Sequence, residues 1–359
     1  MAVRTISSAG GNWNAVGTWN EGTVPVLGDT VLATVTSGQL TVNVAAACTS
    51  IDFTNYTNTL TMNAALTVSG NVTLVTAMTI SGVNGLVLSL FHDPSTITSN
   101  GKIWPNALSI TSNTSTIPII TLADSWIIGG TLTLTAASTS GITCNGNSLS
   151  IGGGLQYTGV NKILNGTTSF ILNGTGTWTF GLNTRIHNNL TINTAGTITI
   201  GTLVRLAGSG QVFTYTSGKV ITTNSTFIIA SSLTLVNMDK VTWNIVTVVA
   251  GVTVTMNKFF SGNPKQKITI QSGTSGTVYT ITFQDTFEKI AKFVKVSDCS
   301  LTRRGQLLML TPNSDKGGNF GIRYINQSPN GIAKNSPTIK DTMTSPALGL
   351  AADPCFTLF

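Results

Sequence analysis

The chain has 359 residues, a formal net charge of +7 with only 9% of residues charged, 41% hydrophobic residues and a mean hydropathy of +0.27. That length suffices for one large all-β domain or two ordinary ones, with a sizeable core either way. Its apolar stretches, such as 115–130, are broken by Pro118, Asp124 and glycines well short of the ~18–20 residues of a membrane span, so no membrane insertion is expected.

The opening, MAVRTISSAGG, has no apolar core of a secretory leader, and none is expected. Residues 10–31, GGNWNAVGTWNEGTVPVLGDTV, then bring Trp13 and Trp19 six positions apart, followed by Pro25 and a Gly28-Asp29 turn. The aromatic pair reads either as a ligand platform or as an apolar lid. Its place just ahead of the first strand, TVLATV, favours the lid.

From about 31 to 300 the text is nearly one pattern: three to six residues of Thr alternating with Val, Leu or Ile, then a turn. Segments 39–44 (QLTVNV), 131–135 (TLTLT), 196–201 (GTITIG) and 252–256 (VTVTM) are examples. Period-two alternation of β-branched residues predicts strands, and Gly/Asn/Ser clusters predict the turns between them. The segment 286–296 reads as a helix or as a strand leading from 292 to 296. The Thr-Ala pairs Thr76-Ala77, Thr135-Ala136 and Thr194-Ala195 recur at intervals of 59, which fits stacked rungs of about 20–30 residues. The expectation is an all-β, right-handed parallel β-helix (a solenoid), favoured over a sandwich, with apolar residues inward, hydroxyls outward, and Gly and Asn at corners where φ turns positive. Its parts are an N-terminal aromatic cap over 1–35, the β-helix over 36–300, and a closing rung with a C-terminal attachment or oligomerisation segment over 301–359.

Charge is uneven: net −3 over 1–100, +4 over 101–257 and +6 over 258–359. The bases are scattered, with no run beyond Arg303-Arg304, so nucleic acid is not an expected partner. Cys48, Cys144, Cys299 and Cys355 form no C-x-x-C pair; with only His92 and His187 beside them, buried free thiols are expected and no metal or cofactor. Acids are solitary along most of the strand text, and no D-x-D or E-x-x-D pair occurs between 53 and 238. Glycoside hydrolysis needs two carboxyls about 5–10 Å apart, so no catalytic residue is assigned. Asp93 reads as a turn residue, Asp124 as an isolated surface acid, and the 285–298 cluster of both signs as a solvated or interface face. His187 beside Arg185 could bind an anion, sense pH or fill a corner. The GGGL at 152–155 lacks the Lys and helix of a phosphate loop and reads as a corner. Trp104, Trp126, Trp178 and Trp243 lie in strand text: an outward ring would stack on a sugar, an inward one would fill the core.

Residues 301–359 hold five of the ten prolines, lose the Thr alternation and end in the apolar CFTLF. Arg303, Arg304, Arg323, Phe356 and Phe359 are the candidate assembly contacts there.

The opening segment resembles the G-x-W…T-W…G…V-P…G-D-x-V start of many β-helical surface proteins of phages and bacteria and, more distantly, the G8 domain. Trp13, Trp19, Gly22, Pro25, Gly28, Asp29 and Val31 carry the resemblance. Residues 291–324 resemble the closing rung of the same proteins, with the Phe320/Tyr324 region in place of tryptophan. The resemblance implies a non-enzymatic structural protein of a tailed-phage virion, at the virion surface, decorating the capsid or forming a fibre or spike. Its partners would be itself, as a homotrimer, and other virion proteins. The alternative is a receptor-binding tailspike or adhesin recognising a cell-surface glycan, and behind it a glycan depolymerase.

Overall fold

Thr alternating with Val, Leu or Ile puts hydroxyls on one side of an extended chain and apolar groups on the other. In the computed structural model, that alternation decides inside from outside. The structure describes residues 1–89, 95–112, 119–136, 140–143, 146–158, 163–165, 169–181, 184–201, 203–222, 225–262, 267–285, 289–302, 307–310, 314–315, 319 and 322–325. Strands pair in parallel with partners a full turn away: Val31 faces Ile51, Ile51 faces Val72, Val72 faces Ile97 and Ile97 faces Leu122. Parallel pairing across such intervals cannot come from hairpins. The chain is an all-β parallel solenoid.

Three faces recur in the order first, second, third. The first is a fifteen-stranded sheet that starts at Val3–Thr5 and Thr30–Leu32 and ends at Val294–Val296 and Ser314–Asp315. The second begins with a four-stranded sheet, Gly11–Asn12, Leu40–Val42, Thr59–Met62 and Thr79–Gly82, and resumes at Ile103–Trp104. The third runs from Ala46–Cys48 and Leu66–Val68 to Gly176–Phe180. Two long strands, Asn189–Ile200 and Val212–Ile221, turn from the second face onto the third through register shifts around Asn193.

Register makes the core a set of columns. On the third face Ala46, Leu66, Leu86, Leu108, Leu132, Leu155, Trp178 and Ile200 occupy matching positions, and all are buried. Outward, Ser109, Thr133, Gln156 and Thr179 form the adjacent column. Beyond Ile221 the third face changes character. A 3-10 turn, Met238–Lys240, stands in the chain position of its strand, and Met238, Val241 and Trp243 fill the core instead. Trp243 stacks on Phe227 at 4.5 Å between ring centroids, and Phe259 and Phe260 are buried in the following turn. Asn237 (φ 59°) and Asn257 bond to each other across two turns, Asn237 N–H to Oδ1 at 2.8 Å and Asn257 Nδ2 to Oδ1 at 3.0 Å. A strand reappears in the third position with the sheet Lys289–Ala291, Leu307–Leu310 and Ile322–Ile325. The segment 286–296 therefore carries strand, not helix, at Lys289–Ala291 and Val294–Val296.

The GGGL stretch is a corner. Gly129, Gly152 and Gly174 stack there, and a Cβ on Gly174 would lie 1.7 Å from the Gly152 carbonyl oxygen. Only glycine lets successive backbones approach so closely.

Leu132→Ala should lower stability by about 2–5 kcal/mol, because its neighbours above and below cannot collapse into the void. The adjacent outward Thr133→Ala should change it by no more than about 0.5 kcal/mol. Chemical denaturation of both variants measures the contrast, and equal losses would contradict the column description.

Candidate functional site

The N-terminal segment is densely hydrogen-bonded. Val3–Thr5 pairs with Thr30–Leu32, and Gly11–Asn12 with Leu40–Val42, so residues 1–35 form part of the ladder rather than a separate lid. A parallel sheet would leave the outer edge of its first strand open to another chain. Here residues 18–21 fold back over that edge. Ile6 and Trp19 form an antiparallel bridge, Asn20 N–H donates to Thr5 O at 2.9 Å, and Ser7 N–H donates to Thr18 O at 2.8 Å. The Thr5 N–H donates to Glu21 Oε2 at 2.8 Å, so a carboxylate closes what no strand pairs.

Trp13 and Trp19 are both 2% exposed and meet edge to face with ring centroids 5.1 Å apart. The Trp19 Nε1–H donates to the Trp13 carbonyl at 2.8 Å, and Trp13 N–H donates to Thr41 O at 2.8 Å. Neither ring face is free for a ligand. Behind them Pro25 is buried, and Gly28 turns with φ +111°. Asp29 then anchors the start of the chain. Its carboxylate accepts from Ala2 N–H (3.1 Å) and Val26 N–H (3.4 Å) and pairs with Arg4 Nε at 3.1 Å. The Arg4 hydrogen bond holds the Asp29 carboxyl below its usual range, with burial opposing and the Ala2 and Val26 amides assisting. Burial is the largest single influence on Glu21 and opposes its ionised form, but the Thr5 and Glu21 amides, the Thr5 hydroxyl and the Arg4 charge together outweigh it, and its pKa too is lowered.

The four other tryptophans correct an expectation. Trp104, Trp126, Trp178 and Trp243 are at most 2% exposed, so none presents a ring to a sugar. Trp104, Trp126 and Trp178 sit on the inward phase of their strands, and Trp243 lies between the Met238–Lys240 turn and Ile245–Val248. Trp178 aligns with Leu155 and Ile200, and Ile127 beside Trp126 is the residue that faces out, 40% exposed.

Several described carboxylates serve the fold. Asp52 Oδ1 accepts from the Thr54 N–H at 2.8 Å and the Thr54 hydroxyl at 2.6 Å. Asp124 is not isolated: it accepts from Ser99 N–H (2.7 Å) and Ser99 Oγ (3.0 Å) and ties one corner to the turn before it. Asp285 pairs with Lys289 at 2.7 Å, and Asp239 with Lys240 at 3.5 Å. Cys48 and Cys299 are free and fully buried, and burial pushes both thiols up to about 12. Among the described residues no group of three His, Cys, Asp or Glu side chains is placed to hold a metal, and no helix is long and apolar enough to cross a membrane. Arg323 is placed by its backbone in Ile322–Ile325, while Arg303, Arg304, Phe356, Phe359, Asp93, Cys144 and Cys355 lie outside the described residues.

A cleft of about 310 Å³ opens where the second face breaks between Thr79–Gly82 and Ile103–Trp104. Thr76, Thr79, Ile80, Gly101, Lys102, Ile103 and Pro105 line it, and Lys102 Nζ donates to the carbonyls of Thr76 (3.4 Å) and Met78. Comparison with protein-family models, curated proteins and solved structures finds no match to this chain.

Trp13→Ala and Trp19→Ala should each lower stability by about 3–5 kcal/mol. The double variant should aggregate, which light scattering detects; a soluble variant as stable as the parent would contradict the structural role of the pair. Acid should act on the same end. Because the folded pKa values of Asp29 and Glu21 are depressed, their contribution is complete above the unfolded carboxylate range of about 3.9–4.3 and is lost as pH falls through the folded values. Asp29→Asn should therefore melt lower than the parent chain at pH 7, and the gap should narrow by pH 3.

Proposed function

We propose that the chain is a non-enzymatic structural component of a tailed-phage particle, a stiff surface rod that decorates the capsid or forms a fibre or spike. The observation that carries this reading is a continuous apolar core in register from Val31 to Leu301 beneath a sparsely charged exterior, closed at the N-terminal edge by its own residues 18–21. Such a body resists bending and local opening, because each turn buries its inner face only against its neighbours. The connection to a phage particle rests on the resemblance of Trp13, Trp19, Gly22, Pro25, Gly28, Asp29 and Val31 to the opening of β-helical surface proteins.

Three copies would share flat faces and cover their C-terminal ends together, with the 301–359 segment supplying contacts to one another and to other virion proteins. The cleft at Lys102 supports a second reading, receptor binding to a surface glycan. Ile80, Ile103 and Pro105 would meet the apolar face of a sugar, and Thr76 and Thr79 its hydroxyls.

Two measurements test the proposal. Light scattering of the purified chain should give the mass of a trimer, and a truncation at 325 should give a monomer. Electron microscopy of the native particle should show the rods on the capsid or at the tail. A glycan-array signal lost in Ile103→Asp, with no rods on a particle, would replace the structural reading by the receptor-binding one.

A further inference from the structure

The longest stretch free of acid runs from 125 to 238, yet it carries Lys162, Arg185, Arg205 and Lys219. Two of these cations are brought together. On the first face Ile186 pairs with Leu206, and both are fully buried. The preceding residues, Arg185 and Arg205, therefore point outward at matching positions of neighbouring strands, which lie about 4.8 Å apart. Like charges directly opposite each other on a sheet destabilise it unless something neutralises them.

Among the described residues no acid pairs with either arginine. The nearest in sequence are Asp124 and Asp239. The first sits in the corner after Ile119–Leu122, three strands before Arg185's, and is bonded to Ser99, and the second is paired with Lys240. The ion pairs among the described residues are Arg4–Asp29, Lys240–Asp239 and Lys289–Asp285. Arg205 Nε is buried with no hydrogen-bond partner. A charged donor shut off from water and left unbonded is costly, and a bidentate oxyanion is what a guanidinium fork satisfies best. Two residues beyond Arg185, His187 is half-buried, and burial together with the Arg185 charge lowers its pKa. The local field is thus positive and felt by a neighbour.

We propose that Arg185 and Arg205 form an oxyanion-binding site on the first face, with His187 at its margin, taking a carboxylate, sulfate or phosphate group. The site is local. Ile228, Thr247 and Gln271 continue the same outward column and carry no charge, so on that side the described residues offer no cationic track for a nucleic acid backbone. A single oxyanion bridging two turns fits, either as a free ion or as a substituent on an acidic polysaccharide.

The test is calorimetric titration of the full chain with sodium sulfate at constant ionic strength, followed by a sulfated polysaccharide, a polyuronate and duplex DNA. Sulfate should bind and raise the melting temperature above that in chloride. Arg185→Gln and Arg205→Gln should each weaken binding at least tenfold, and Arg205→Lys, which keeps the charge but loses the fork, should also weaken it. Lys219→Gln, on the third face, should bind as the parent does. In chloride alone Arg205→Gln should melt no lower than the parent, since it removes repulsion and not packing, which separates the site from a structural role. Tighter binding of a polymer than of sulfate assigns the source as an acidic glycan; binding of inorganic ions alone assigns a free ion. Unchanged sulfate binding in the double variant, or binding confined to DNA, would overturn the proposal.

Discussion

A solenoid depends on side chains stacking in register upon their counterparts one turn away. Each turn has too little inner surface to bury its apolar residues alone, so Leu132 is inside only because Leu108 lies below it and Leu155 above. The requirement propagates outward. Corners must pass close enough to keep the register, which is why Gly129, Gly152 and Gly174 are stacked there. Each end breaks the stack and needs different chemistry, and at the N-terminus two tryptophans and a carboxylate provide it.

Much of the fold was legible because a strand that is half inside must alternate. Thr-Val text gave the strands, and the Gly and Asn clusters gave the corners. The turn length was harder to read, since matching inward residues stand 20 to 25 positions apart along the first face alone. Beyond 221 an expected strand gives way to a 3-10 turn, which blurs any repeat further. The tryptophans held a readable signal that composition hides. In GTWTF, Trp178 shares the parity of Phe180 while Thr177 and Thr179 take the other side, so alternation itself sends the indole inward.

The candidate sites were less legible, because their partners come from other turns. Nothing adjacent to Asp124 in sequence announces Ser99, and nothing near Glu21 announces the Thr5 amide. Arg185 and Arg205 are 20 positions apart and meet only through the register of Ile186 with Leu206. The acid-free stretch around them was visible from the start, but its meaning depends on geometry. Low charge makes the few ionic groups informative: Glu21, Asp29 and Asp124 each fasten a neighbouring segment, and Arg185 and Arg205 are left facing each other.

The folded-back segment at residues 18–21 also bears on how the molecule is made. Its partners Thr5, Ile6 and Ser7 are near in sequence, so the first turn can close while most of the chain is still on the ribosome. Every later turn can then stack on a surface already formed. Folding can then run along the chain in one direction, from the folded-back edge toward the later turns.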